Sequence, residues 1–295
     1  MTRFLPSLLL VLLALTNLAI AQDDWTPERP GQAISPSIVP EGTLSFEAGF
    51  RWEQADFTPV RPESFESFGS IYQHDIFVLP AGLLRVGLGD RFEFRLSSSY
   101  RRWKWEYDPN YLDGDAEADP IIRKTDVGVA FLKVGIKSAL TRERGIIPSS
   151  AIVASLGIPQ TGSTAYQVRY LAPDFALVFS HALSKRVRLG YHIGSRWDGF
   201  AVTPIGYYAA ALSTAFHPRF SGFVEFFGDL PGHAPPLHSV DAGFSWQAHT
   251  DLYLDASFGI GINAPGEDEP DFDLSSMIAT DMAAEIGISW RLQAW

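Results

Sequence analysis

Between Leu237 and Asn263 apolar and polar residues alternate with a period of two. Val240, Ala242, Phe244 and Trp246 are interleaved with Asp241, Gly243, Ser245 and Gln247. After Ala248–Thr250 the pattern resumes, with Leu252, Leu254, Ala256, Phe258 and Ile260 set against Asp251, Tyr253, Asp255, Ser257 and Gly259. This spacing predicts two strands joined by a tight turn, each with one apolar and one polar face. A soluble sandwich would need a second sheet or helices to cover the apolar face, and nothing downstream reads as an amphipathic helix. A closed barrel in lipid reverses the arrangement, with apolar side chains outside and Asp241 and Asp255 facing the lumen.

The same unit recurs along the chain. A first strand is expected at Thr43–Glu53, where Leu44, Phe46, Ala48, Phe50 and Trp52 oppose Ser45, Glu47, Gly49, Arg51 and Glu53. A second, about Ile71–Leu88, turns at Gly89-Asp90 into a third, in which Phe92, Phe94, Leu96 and Tyr100 oppose Arg91, Glu93, Arg95 and Arg101. Further strands are expected at about Arg123–Ala139, Ser149–Ile158, Asp174–Leu183, Arg186–Arg196, Ile205–Phe216, Arg219–Gly228, Leu237–Ala248, Asp251–Asn263 and Asp281–Leu292, which makes twelve. Their connections alternate. Gln54–Ser70, Asp108–Ile122, Pro159–Pro173, Trp197–Pro204, Asp229–Pro236 and Ala264–Thr280 are long. Gly89-Asp90, Ser184-Lys185, His217-Pro218 and His249-Thr250 are tight, and Leu140–Pro148 is intermediate. Outer-membrane barrels sort long external loops from short periplasmic turns in this way, and a sandwich has no reason to. The fold class predicted is all-β: one twelve-stranded antiparallel transmembrane barrel.

Three places disturb the rhythm. Pro80 interrupts the second strand, the third changes phase at Trp103, Trp105 and Tyr107, and 126–137 changes phase between Val127, Val129, Phe131 and Leu132, Val134, Ile136. A bulge at each would restore the register. Aromatic girdles are expected from Trp52, Trp103, Trp105, Trp197, Tyr207, Tyr208, Phe226 and Phe227 at the external rim, and from Trp246 and Trp290 at the periplasmic one.

The N-terminus changes the cellular context. Arg3, the apolar run Leu8–Leu15 and Ala19-Ile20-Ala21 form a secretory-signal pattern, too short to span a membrane, so residues 1–21 are expected to be cleaved. Gln22–Gly42 has prolines at 27, 30, 36 and 40 and is expected to be an extended periplasmic lead-in, with the barrel occupying 43–295. Without Arg3 the chain has 22 basic and 34 acidic residues, a net charge of −12 that argues against nucleic acid as a partner. The absence of cysteine leaves no disulfides, thiol catalysis or thiolate metal site. The partners expected are outer-membrane lipid, a small organic solute and the outer-membrane insertion machinery.

The candidate lumen-lining residues are Glu47, Arg51, Arg85, Glu93, Arg95, Arg188, His192, Glu225, Asp241, Asp255 and Glu285, with Arg101, Arg196 and Arg291 in the same phase. The simplest role for such charges is to pair with one another and fill the interior; the functional alternative is that some set the selectivity of a passage. Twelve strands fall between the eight or so whose interior side chains fill and the sixteen to eighteen that leave a channel. A hydrolase is disfavoured, because His192/Ser195 and His238/Ser239 are spaced to point to opposite faces of their strands. No metal or cofactor is expected, and the acidic stretches Asp108–Asp119 and Glu267–Asp273 read as solvated loop charge.

Several motifs in order resemble a family of outer-membrane barrels of the phenol meta-degradation pathway type. They are Glu28-Arg29-Pro30 with Pro36, VPEGTLSFEAGF (39–50), LLRVGLGDRFEFRL (83–96), DVGVAFLKVGIK (126–137), SLGIPQTG (155–162), FVEFFG (223–228) and DAGFSW…LDASFGIGIN (241–263). The chain departs at Glu28, where the family tends to Asp, and at Gln160, inserted into a Pro-Thr-Gly run. The resemblance implies a channel or transporter for small organic solutes, aromatic or hydrophobic ones among them. The alternatives are a closed barrel acting through its external loops and, less favoured, an outer-membrane hydrolase.

Overall fold

The period-two segments pair into one closed antiparallel ring in the computed structural model, which describes residues 25–55, 58–60, 69–108, 121–232, 236–262 and 281–295. Its strands are β1 (Thr43–Ala55), β2 (Thr58–Val60), β3 (Gly69–Gly89), β4 (Phe92–Asp108), β5 (Ile122–Val129), β6 (Lys133–Thr141) and β7 (Ser149–Gly157). They continue with β8 (Ala172–Ala182), β9 (Val187–Arg196), β10 (Ile205–His217), β11 (Phe220–Leu230), β12 (Leu237–His249), β13 (Leu252–Gly261) and β14 (Met282–Gln293). From β6 to β14 consecutive strands pair in sequence order; β14 then pairs with β1, β1 with β3, β3 with β4 and β4 with β6, which closes the ring. The three-residue β2 extends only the loop end of β3. β5 and β6 both lie along β4 as two halves of one interrupted strand, so the wall has the expected twelve staves.

Alternation sorts the side chains as anticipated. Phe244, Phe258, Ile286 and Ile288 are exposed on the outside, where lipid would cover them, whereas Arg85, Glu93 and Lys137 inside are fully buried. Ring closure satisfies the backbone through the strand ladder, and the polarity inversion presents apolar side chains where hydrocarbon would meet them.

The irregular places resolve differently from one another. β3 carries register shifts between Ile71 and Gln73, Val78 and Ala81, and Gly87 and Gly89, and Pro80, which has no N–H to give the ladder, falls in the second of them. β4, expected to bulge near Trp103, instead keeps one register against β5 from Tyr100 to Tyr107. The break at Ala130–Leu132 is repaired by the loop after β7. Val129 N–H donates to Ser163 Oγ (2.8 Å), Leu132 N–H to Thr161 Oγ1 (2.9 Å), and Ser163 N–H to the Val129 carbonyl (2.8 Å). Gly128 permits this approach, since a Cβ there would overlap Ser163. The inserted Gln160 takes a left-handed backbone (φ 59°) within the same loop.

The external aromatics divide between the two faces. Trp52 shares the outer face of β1 with Phe50, and Tyr208 and Phe226 meet outside as a tilted pair at 5.5 Å. Tyr207 and Phe227 border the interior cavity instead, and Trp103 shares the inward phase of Arg101. Trp105's side chain lies outside the described residues, as do 1–24 with the signal segment, the loop acids at 109–119 and those at 267–273. At the turn end Phe220 stacks on Trp246 (5.9 Å), and Trp290 is exposed on the outer face.

Candidate functional site

Four prolines keep residues 25–42 from forming helix or sheet, so their backbone N–H groups need partners from elsewhere. The segment was expected in the periplasm; it lies inside the barrel, because the lumen wall supplies those partners. Glu28 and Arg29 N–H donate to Glu47 Oε2 (2.9 and 3.2 Å), Gln32 N–H to Glu225 Oε2 (2.6 Å), Ile34 N–H to His192 Nδ1 (3.2 Å) and Val39 N–H to Glu93 Oε2 (2.9 Å). The chain enters at the turn end, where Trp25 packs edge-on against Tyr253 (5.4 Å) beneath Arg291. It reaches mid-barrel at Gln32–Ile34 and returns to Gly42 at the head of β1. Gly87 makes room for the return, since a Cβ there would overlap the Pro40 carbonyl.

Three groups of side chains hold it. In the lower barrel Arg85 donates to Glu47 (3.0 Å), to both oxygens of Glu93 (2.9 Å each) and to the Thr26 and Ser37 carbonyls (3.0 and 3.1 Å). Beside it Glu28 receives two bonds from Arg95 (2.7 and 2.5 Å) and one from Lys137 Nζ (2.5 Å), which also reaches the Ser37 carbonyl (3.0 Å). The wall here contributes Arg85, Arg95 and Lys137 against Glu47 and Glu93, and Glu28 is the third carboxylate that balances the charge.

The second group is a cradle for Arg29. Its guanidinium donates to Asp255 (3.3 Å) and to the Ile286 carbonyl (3.1 Å), and it pairs with Glu285, which is shared with Arg51 (3.4 Å). Gly49 and Gly287 are cross-strand partners in β1 and β14, and a Cβ on either would overlap that guanidinium. Gly287→Ala is therefore expected to dislodge Arg29 and weaken docking by about 1.5–3 kcal/mol, the worth of its charged hydrogen bonds. Faster amide exchange at 26–34 with the strand amides unchanged would show it; unchanged exchange at 26–34 would refute the cradle.

The third group receives the tip. Ile34 packs with Tyr207 against the buried Val153, Ala176 and Val178, while Glu225 and Asp241 face one another in register on β11 and β12. Above the tip, on the long-loop side, lies a cavity of about 730 Å³. Gln32 and Ile34 contribute to its lining along with Arg51, Arg101, His192, Tyr207, Asp241 and Glu285.

The expected lumen set thus divides by height. Glu47, Arg85, Glu93, Arg95 and Asp255 grip the segment, Glu225 and His192 hold its tip, and Arg51, Asp241 and Glu285 border the cavity together with His192. Arg188 stands apart near the turn to β8, half-exposed, bonded to Ser180 Oγ (3.2 Å) and 3.8 Å from Glu143. His192 and His238 lie on inner and outer faces, and His238 bonds Tyr208 Oη (2.6 Å) on the lipid side. Glu28, Arg29, Lys137 and Tyr207 were not expected at the site. Lys137 could have been found by carrying the inward phase of Lys133 and Gly135 past the break before β6.

The wall and its segment can be set beside known proteins. A family model described as "Putative MetA-pathway of phenol degradation" matches residues 28–273. The chain is similar in structure to the COG4313 outer membrane channel from Pseudomonas putida F1, at 11% identity and a TM-score of 0.59, over 89% of this chain and 99% of that one. It is also similar to the transport unit of the autotransporter AIDA-I from Escherichia coli, at 11% identity and a TM-score of 0.53, over 94% and 97% of the two chains. No curated protein sequence matches it.

Proposed function

Because the chain belongs to that phenol-degradation family, we propose that it is an outer-membrane channel passing small organic solutes, aromatic or hydrophobic ones included, through its lumen. Residues 1–21 are removed on export, 22–42 form the lead-in, of which 25–42 make the lumen segment, and 43–295 insert as the barrel with the outer-membrane insertion machinery. The observation that carries this reading is the closure of the lumen. Below the roughly 730 Å³ cavity, among the described residues, the lumen is filled by the chain's own N-terminal segment bonded to the charged side chains of the wall. A separate element on a discrete set of latches can yield without disturbing the strand ladder, so passage and an intact barrel are compatible. Arg51, Asp241, Glu285 and His192 would meet the solute first, and Asp255 would act through Arg29.

A closed barrel working through its external loops is the second reading, favoured by the number of buried ion pairs on the segment. Liposome swelling with purified mature protein separates the two. Swelling is expected with small neutral and aromatic solutes and should change in the Asp241→Ala, Asp255→Ala double variant. Undetectable flux for every solute, unaltered in that variant, would establish the closed barrel instead.

A further inference from the structure

We propose that the cavity contains a subsite for an uncharged ring compound bearing a carbonyl or hydroxyl oxygen, selected by the Nε2–H of His192. The proposal rests on the transport reading for its biological sense and on the following geometry for its chemistry. His192 Nδ1 accepts the Ile34 N–H (3.2 Å), so in the neutral imidazole the proton sits on Nε2. The residue is only 6% exposed and borders the cavity, and Nε2 has no hydrogen-bond partner among the described residues. A donor open to the cavity can give its hydrogen bond to an acceptor on whatever enters.

The surroundings define the rest of the ligand. Tyr207 stands edge-to-face to the imidazole at 5.4 Å, and Ile34, Val78 and Ile205 add apolar lining. The nearby charges are already matched: Asp174 accepts from Tyr207 Oη (2.7 Å) and Lys133 Nζ (3.1 Å), and Arg196 pairs with Asp229 (2.7 Å). Beside His192 a charged group would have to break one of those pairs, whereas a neutral acceptor needs only the imidazole. A volume of about 730 Å³ lies within the range of small-molecule sites, roughly 300–1,000 Å³. The ligand's oxygen would sit beside the imidazole edge opposite Ile34, so the subsite adjoins the tip contact of the N-terminal segment.

The test is equilibrium binding of acetophenone and α-methylstyrene, which differ in C=O against C=CH2 at the same trigonal carbon, to purified protein in detergent, corrected for partition into protein-free micelles. Wild type is expected to prefer acetophenone by about fivefold to tenfold, the range one neutral hydrogen bond supplies. His192→Phe should abolish the preference, and His192→Gln, which keeps an N–H donor, should retain part of it. Acetophenone alone should shift the His192 Nε2–H resonance of the wild-type protein, a readout that stands even if His192→Phe does not fold. Equal affinities in wild type, or a preference undiminished in His192→Phe, would overturn the subsite. Binding with the expected preference but no acetophenone flux into liposomes supports the subsite and counts against the transport reading alone.

Discussion

Glu28→Gln frees the N-terminal segment from the lower barrel. The wall around it holds three cations, Arg85, Arg95 and Lys137, and two carboxylates, Glu47 and Glu93, with Lys137 fully buried. Removing the Glu28 charge strands a cation in a site closed to water, and breaking a buried pair in this way costs about 3–5 kcal/mol. The barrel ladder is a closed ring that does not pass through residue 28, so the loss falls on docking of the segment. Amide exchange at Glu28, Arg29 and Val39 should accelerate by about two to three orders of magnitude, since each decade corresponds to about 1.4 kcal/mol. Liposome flux should rise with it. Glu41→Gln, at an exposed site just before β1, serves as control and should change neither. Unaltered exchange in Glu28→Gln would mean that Arg29 and the tip contacts hold the segment without the lower cluster.

Phe244→Arg should cripple insertion where Ser245→Arg does not. Phe244 is exposed on the outer face of β12, and its neighbour Ser245 points inward opposite Asp255. An arginine at the lipid midplane costs roughly 2–4 kcal/mol, while a lumen arginine beside a carboxylate has water or an ion pair available to it. The measurement is refolding into liposomes followed by denaturant titration. Equal destabilisation by the two substitutions would refute the assignment of faces. Leu254 and Ile288 lie exposed on the same outer surface and should behave as Phe244 does.

The barrel was legible because its cause is local. Each strand that spans lipid must alternate, and each connection reports which end it occupies by its length, so strand number, faces and the inward phase of Arg85, Glu93 and Asp255 follow from spacing alone. Phase failed where the backbone was irregular. Lys137 was missed because it follows the break at Ala130–Leu132, and the aromatic run from Trp103 suggested a bulge in β4 although the extra residues are in β3.

The filling of the lumen was beyond the sequence for a different reason. Residues 25–42 have no periodicity, and their prolines state only what the segment cannot form. That Glu28 meets Arg95 and Lys137, or that Arg29 lies over Gly49 and Gly287, depends on which wall residues the closed ring brings to one height. Strand stagger and tilt set those heights, and they are properties of all twelve strands together. Sequence alone determined the wall, its two faces and its charged interior; tertiary structure decided which charges meet, because partners up to 257 residues apart are joined only once the barrel has closed.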